Sequence, residues 1–246
     1  MFALFSLCAL FPMPDRSQFL YKHIAKTGGG TVKAVLHMTH KNQIDQNIFI
    51  KKEREVSSES DRQRAFIVSN VRNPCEFYVS LWAFGCSGHG LFNSVLRREH
   101  PEAADVYSSP YNHSNFARFL GLAAGEFSRR YHDYLPGMPV DCWIHTETLA
   151  WDLIHCMGVF HKQGGKLSNV PTAEFIERVS THGTEHEPCA SYYTPELSDL
   201  VLRKDSAVFA WFPEYHNTCC MQVHNPNTSF VTSGSNSASV LLNSTL

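Results

Sequence analysis

The chain has 246 residues, 43% of them hydrophobic and 12% aromatic, enough to bury a full core as one enzyme-sized α/β unit. Its formal net charge is −2 and its pI about 6.7. No global basic field therefore recruits RNA or DNA, and any recognition of phosphate has to be local.

Residues 1–13 are apolar and end at Pro12-Met13-Pro14. They are too short for a membrane span, and no basic residue precedes them as a signal peptide requires. Residues 1–16 read as an apolar extension or the end of a truncated signal-anchor, the only route to membrane association that the sequence offers. The run Phe19-Leu20-Tyr21-Lys22-His23-Ile24 then reads as a strand, and Thr31 to Thr39 as a helix. Between them lies Lys26-Thr27-Gly28-Gly29-Gly30-Thr31. A glycine-rich turn between strand and helix points backbone amides at one spot with the helix dipole behind them, and the lysine adds a point charge. A Walker A loop carries its lysine after the glycines, whereas Lys26 precedes them. The stretch reads as a phosphate cradle of another kind, or as a βα turn whose glycines serve geometry alone.

Lys51 to Arg64 is polar and charge-mixed, a solvated loop or helix. Ala65-Phe66-Ile67-Val68-Ser69-Asn70-Val71 is an apolar run that fits a buried strand. It ends at Arg72-Asn73-Pro74-Cys75-Glu76, where Asn73 suits an N-cap, Pro74 the first helical position and Glu76 a capping box. The helix continues through Phe84 and stops at Gly85. Arg72 thus sits at a helix N-terminus, a second anion site, and Ser80 returns to nearly the same face two turns on.

Phe92 to Glu99 and Asn115 to Leu122 read as helices, Asp141 to His145 as a strand, and the residues after it as a helix to about Met157. Gly164-Gly165 and Thr181 to Pro188 read as loops. Thr194 to Lys204 opens with a cap-and-proline signal and is apolar at Leu197, Leu200 and Val201, a helix packed on the sheet. From His224 onward there is no Asp, Glu, Lys or Arg, and residues 223–246 read as a disordered tail. Alternating strands and helices predict a central parallel sheet flanked by helices over residues 17–222.

Two of these stretches together resemble the sulfotransferase family that uses 3′-phosphoadenosine 5′-phosphosulfate. His23-Ile24-Ala25-Lys26-Thr27-Gly28-Gly29-Gly30-Thr31 resembles its 5′-phosphosulfate loop, and Arg72 with Ser80 eight residues later resembles its 3′-phosphate motif. The segment from Val71 to Gly85 is similar to the branch that includes carbohydrate sulfotransferases. Val140 to Leu153 resembles a later strand-helix unit of that branch, and Tyr192 to Leu197 its last helices. The likeness covers roughly residues 17 to 216.

The resemblance implies a P-loop-like three-layer sandwich. It implies a donor site made of Lys26, Thr27, Gly28, Gly29, Gly30, Thr31, Arg72 and Ser80, and a glycan or other hydroxyl-bearing acceptor. Lys26 is then also catalytic, offsetting charge on the leaving oxygen, and the scheme requires no metal. Two departures stand out: Ala25 replaces a proline, and Gly30 replaces a threonine whose hydroxyl reaches the 5′-phosphate.

The acceptor hydroxyl needs a general base. Relatives often place a catalytic histidine before the second strand, which points to His40, with His37 as its neighbour. His182 and His186 read as acceptor-site or surface residues at most, and Tyr192 and Tyr193 as nucleotide-flanking or core aromatics. Two other classes stay open: a nucleotide or small-molecule kinase with an atypical phosphate loop, and a catalytically silent nucleotide- or glycan-binding relative. Eight cysteines contain no C-x-x-C pair, which gives no support to a structural zinc site. Cys142 reads as a small core residue. Glycosylation patterns at Asn112, Asn227 and Asn243 are consistent with a Golgi or other secretory lumen.

Overall fold

The computed structural model describes residues 16–40, 48–52, 55–56, 58–137, 140–179 and 183–216. Its centre is a four-stranded sheet built from β1 (Gln18–Lys22), β2 (Ile48–Lys51), β3 (Ala65–Val71) and β4 (Cys142–His145). The spatial order is β2-β1-β3-β4 and every pairing is parallel. The expected α/β class and central parallel sheet are therefore present.

Strand periodicity explains the layers, because alternate residues leave a strand on opposite faces. Phe19, Tyr21, Phe66, Val68 and Ile144 join one core, under α1 (Gly29–His40). Leu20, Ala65, Ile67 and Val71 join the other, and their neighbours Phe77, Tyr78 and Trp82 belong to a helix on that face. Between the strands lie α2 (Glu59–Arg64), α3 (Pro74–Cys86), α4 (Leu91–Glu99), α5 (His113–Ala123) and α6 (Glu126–Tyr134). After β4 come α7 (Leu149–Lys162), α8 (Ala173–Val179), α9 (Pro195–Lys204) and α10 (Ser206–Trp211). Helices α7 and α8 share the face of α1; α3, α5, α6, α9 and α10 cover the other.

Several local expectations need correction. The four-residue β2 lies partly in the stretch expected to be solvated loop or helix, and α6 and α8 fall in segments for which no helix is expected. Helix α3 runs through Gly85 to Cys86. Gly85 is glycine for packing, since a Cβ there would lie 2.2 Å from the Tyr107 ring. Asn73 does cap α3, its side chain accepting from the Cys75 amide at 2.9 Å. Glu76 does not close a capping box: the Asn73 amide donates instead to Glu147 Oε1, also at 2.9 Å. Cys142 is not a free core thiol but is bonded to Cys156, tying β4 to α7 across a Cα–Cα distance of 5.6 Å. Cys75 and Cys189 are disulfide-bonded as well.

Helix α6 shows how a distant residue replaces a local signal. Its N-cap, Gly125, has no side chain and a φ of 96°. The cap is supplied by Asp205, at the end of α9, whose carboxylate accepts from the Ser128 amide at 2.8 Å and the Tyr78 hydroxyl at 2.7 Å. Burial raises the Asp205 carboxyl, while these hydrogen bonds favour its ionised form.

Candidate functional site

Strands β1 and β3 are neighbours in register, with Lys22 beside Ser69, so the loops that follow them leave the sheet at the same edge. A cleft of about 1560 Å³ opens there. Lys26, Gly28, Gly29, Gly30 and Thr31 from the first loop and Arg72 and Ser80 from the second all line it. The two motifs touch directly, because Arg72 Nη1 donates to the Lys26 carbonyl at 3.3 Å. Arg72 also pairs with Glu76 at 3.2 Å, one turn into α3. Ser80, 4% exposed, faces the same space.

The first loop is held tightly. Lys26 has a φ of 63° and Gly28 of 80°, a left-handed pair that turns the chain from β1 into α1. At Gly29 a Cβ would fall 1.8 Å from His23 Cδ2 and 2.8 Å from the Tyr21 hydroxyl. The cradle is therefore packed from beneath by the last side chains of the strand. Gly30 is different: it is exposed, and a Cβ there meets nothing within 4 Å. Helix α1 has no acidic residue in its first turn, so no carboxylate competes for its positive end. Thr27 departs from its expected role. It is fully buried, and its hydroxyl donates to the Ile24 carbonyl at 2.8 Å, holding the turn rather than facing the cleft.

Charge at the site is arranged in layers. Burial, with Lys33 and Lys22 adding to it, lowers His23 from 6.5 to about 3, so its imidazole is neutral beneath the loop. Lys22 is fully buried, and its ammonium donates to the carbonyl of Lys52 at 2.7 Å. The Lys26 ammonium lies 3.9 Å from the Phe84 ring centroid and donates to Thr184 Oγ1 at 3.1 Å. That leaves a cation held over an aromatic face at the mouth of the cleft.

The structure also brings in residues that sequence reasoning did not assign. Thr184, from the expected loop before α9, lines the cleft with Lys26, and His186, expected as an acceptor-site or surface residue at most, lines it too. Arg129 and Arg130 line it from α6, both paired to Glu126. Tyr193 is a core aromatic whose hydroxyl donates to the Cys75 carbonyl at 3.1 Å, and Tyr192 is 2% exposed. His37 is exposed on α1. His40 ends α1, but its side chain lies outside the described residues, as does His182. Among the described residues no cluster of His, Cys, Asp or Glu is arranged to hold a metal ion.

Comparisons with protein-family models, with curated proteins and with solved structures returned no match. The geometry itself therefore carries the functional reading.

Proposed function

We propose that the chain is a sulfotransferase that moves a sulfuryl group from 3′-phosphoadenosine 5′-phosphosulfate to an acceptor hydroxyl, on a carbohydrate. One observation carries this reading. The lysine-glycine loop and the arginine-serine pair, 46 residues apart at Lys26 and Arg72, line one cleft and are joined by a hydrogen bond. A donor with phosphates at both ends of one ribose needs two anion sites at fixed separation; a simple triphosphate does not.

The residues present suit that donor. The glycine cradle at the start of α1 admits close approach of a phosphate, the positive end of the helix dipole lies behind it, and Lys26 supplies charge. Arg72 and Ser80 offer a planar fork and a hydroxyl to a second phosphate. At about 1560 Å³ the cleft exceeds the roughly 300–1,000 Å³ typical of a single small ligand, leaving space for an acceptor beside the donor. The bound donor supplies an activated sulfuryl group. Lys26 and the loop amides offset charge that grows on the leaving oxygen, and Arg72 with Ser80 fixes the far end so that the transfer is in line. Disulfide-bonded Cys75, Cys142, Cys156 and Cys189 fit an oxidising secretory lumen as the working compartment.

Titration calorimetry with 3′,5′-adenosine bisphosphate and with ATP tests the assignment. Tight binding of the bisphosphate and weak binding of ATP is expected; preference for ATP favours the kinase reading and removes this one. The silent-relative reading draws on Gly30, and bisphosphate binding without transfer to any glycan would favour it.

A further inference from the structure

The loop that carries Thr184 and His186 is anchored on both sides of the histidine. Upstream, Thr184 Oγ1 accepts from the Lys26 ammonium at 3.1 Å. Downstream, the Glu187 amide donates to the Tyr192 hydroxyl at 2.8 Å, and that hydroxyl donates to the Pro110 carbonyl at 2.7 Å. Tyr192 is buried against Trp82 and Phe116, and Glu187 also pairs with His113 at 2.7 Å. His186 is thus held by the core, although it sits in an irregular segment.

Its orientation is equally defined. His186 Nδ1 lies 2.7 Å from the Glu187 carbonyl oxygen. A carbonyl can only accept, so Nδ1 carries the hydrogen, and in the neutral ring Nε2 holds the lone pair. Among the described residues Nε2 has no hydrogen-bond partner, and His186 lines the same cleft as Lys26. A histidine oriented through one nitrogen, with the other presented to the reaction space, is the arrangement a general base requires.

We propose that His186 is the general base for the acceptor hydroxyl. The inference rests on the sulfotransferase reading. His186 Nε2 takes the hydroxyl proton as the acceptor oxygen forms its bond to sulfur and the bond from sulfur to the 5′-phosphate oxygen breaks. That bond's electron pair stays on the bisphosphate product, near Lys26, and the imidazolium afterwards gives its proton to water.

The test compares the full chain with His186→Asn, whose amide nitrogen keeps the donation to Glu187 while Nε2 is lost. Acceptors are heparosan and chondroitin, which offer alcohols, and 4-nitrophenol at a pH where its oxygen is already ionised. The variant should lose about 10²–10⁴-fold in kcat with the alcohols. It should keep its rate with 4-nitrophenolate, keep its affinity for 3′,5′-adenosine bisphosphate and recover partly with added imidazole. Nitrogen-15 spectra of the uncomplexed protein should show His186 as the Nδ1–H tautomer. An unchanged alcohol rate, an equal loss with 4-nitrophenolate, or the Nε2–H tautomer overturns the role of His186 while leaving the sulfotransferase reading intact. Absence of bisphosphate binding and of transfer by the unmodified chain overturns both.

Discussion

The adjacent glycines where the loop from β1 enters α1 should respond in opposite ways to the same added methyl group. In Gly29→Ala the new Cβ would stand 1.8 Å from His23 Cδ2 and 2.4 Å from Nε2. The ring cannot simply swing aside, because it is 7% exposed and stacks near Tyr21 with centroids 6.5 Å apart. Such overpacking costs about 1–3 kcal/mol. In Gly30→Ala the Cβ meets nothing within 4 Å and the backbone is already helical, so alanine should gain about 0.5–1 kcal/mol. The two variants should therefore differ by roughly 1.5–4 kcal/mol. With an m-value of about 2 kcal/mol/M, their urea midpoints should separate by roughly 0.7–2 M. Gly29→Ala should also lose bisphosphate affinity, because the loop must shift to relieve the clash, while Gly30→Ala should keep it. Equal midpoints for the two variants would refute the claim that His23 packs the loop from beneath.

Further expectations follow from the same contacts. Gly30→Thr places a hydroxyl at the cleft without a clash; one hydrogen bond to a charged group is worth about 1.5–3 kcal/mol, so affinity for the donor should rise roughly 10–100-fold in calorimetry. No gain would show that position 30 does not face the phosphate. Arg72→Ala should weaken the bisphosphate roughly 10–100-fold, and Arg72→Lys should not restore it, since a lysine cannot reproduce the planar fork. Removing the Cys142–Cys156 bridge by serine at both positions opens a cross-link of sequence separation 14 and should cost about 3 kcal/mol in unfolding experiments. His23 is a base whose folded-state value, about 3, lies below the usual 6.5, so between these limits the unfolded chain binds the extra proton. Its contribution to stability is complete above pH 6.5 and is lost as pH falls, at up to about 1.4 kcal/mol per pH unit. His23→Asn should flatten that part of the stability profile, and an unchanged slope would assign it elsewhere.

What was legible in the sequence was local. Asn73, Pro74 and Thr194 signal helix starts through side-chain and backbone chemistry that acts within one turn, and those helices are found where expected. The run Ala65 to Val71 is mostly apolar because both faces of its strand are covered, and it is buried at every residue, Ser69 and Asn70 included. The illegible parts depend on groups distant in the chain. Asp205 caps α6 from 77 residues beyond Ser128, so no signal at Gly125 announces the helix. Glu147 takes the role expected of Glu76 by approaching from the turn that follows β4, the parallel neighbour of β3. Thr27 reads as a ligand group in the motif, yet its hydroxyl is consumed by the turn it stabilises. His186 reads in the sequence as an acceptor-site or surface residue at most, and only the fold, which brings its loop against Lys26, shows how it is held at the cleft.

The convergence of the Lys26 loop and the Arg72–Ser80 pair has a topological cause. From β1 the chain crosses by α1 to β2 on one side, and β3, on the other side of β1, is followed in the sheet by β4. Helix α1 packs on one face and α3 on the opposite face, so the crevice between β1 and β3 is where the winding direction reverses. At such a switch point the loops diverge above and below the sheet, and a ligand can enter between them outside the carboxyl ends of the strands. Both helices then present N-termini to one space. The first turn of α1 is free of acid, whereas that of α3 carries Glu76, already paired with Arg72. The two cradles are therefore unequal by construction: one offers amides and a lysine, the other an arginine whose guanidinium is pre-positioned by a carboxylate. Strand spacing of about 4.8 Å fixes the separation at which they begin, and so the length of ligand that can satisfy both at once.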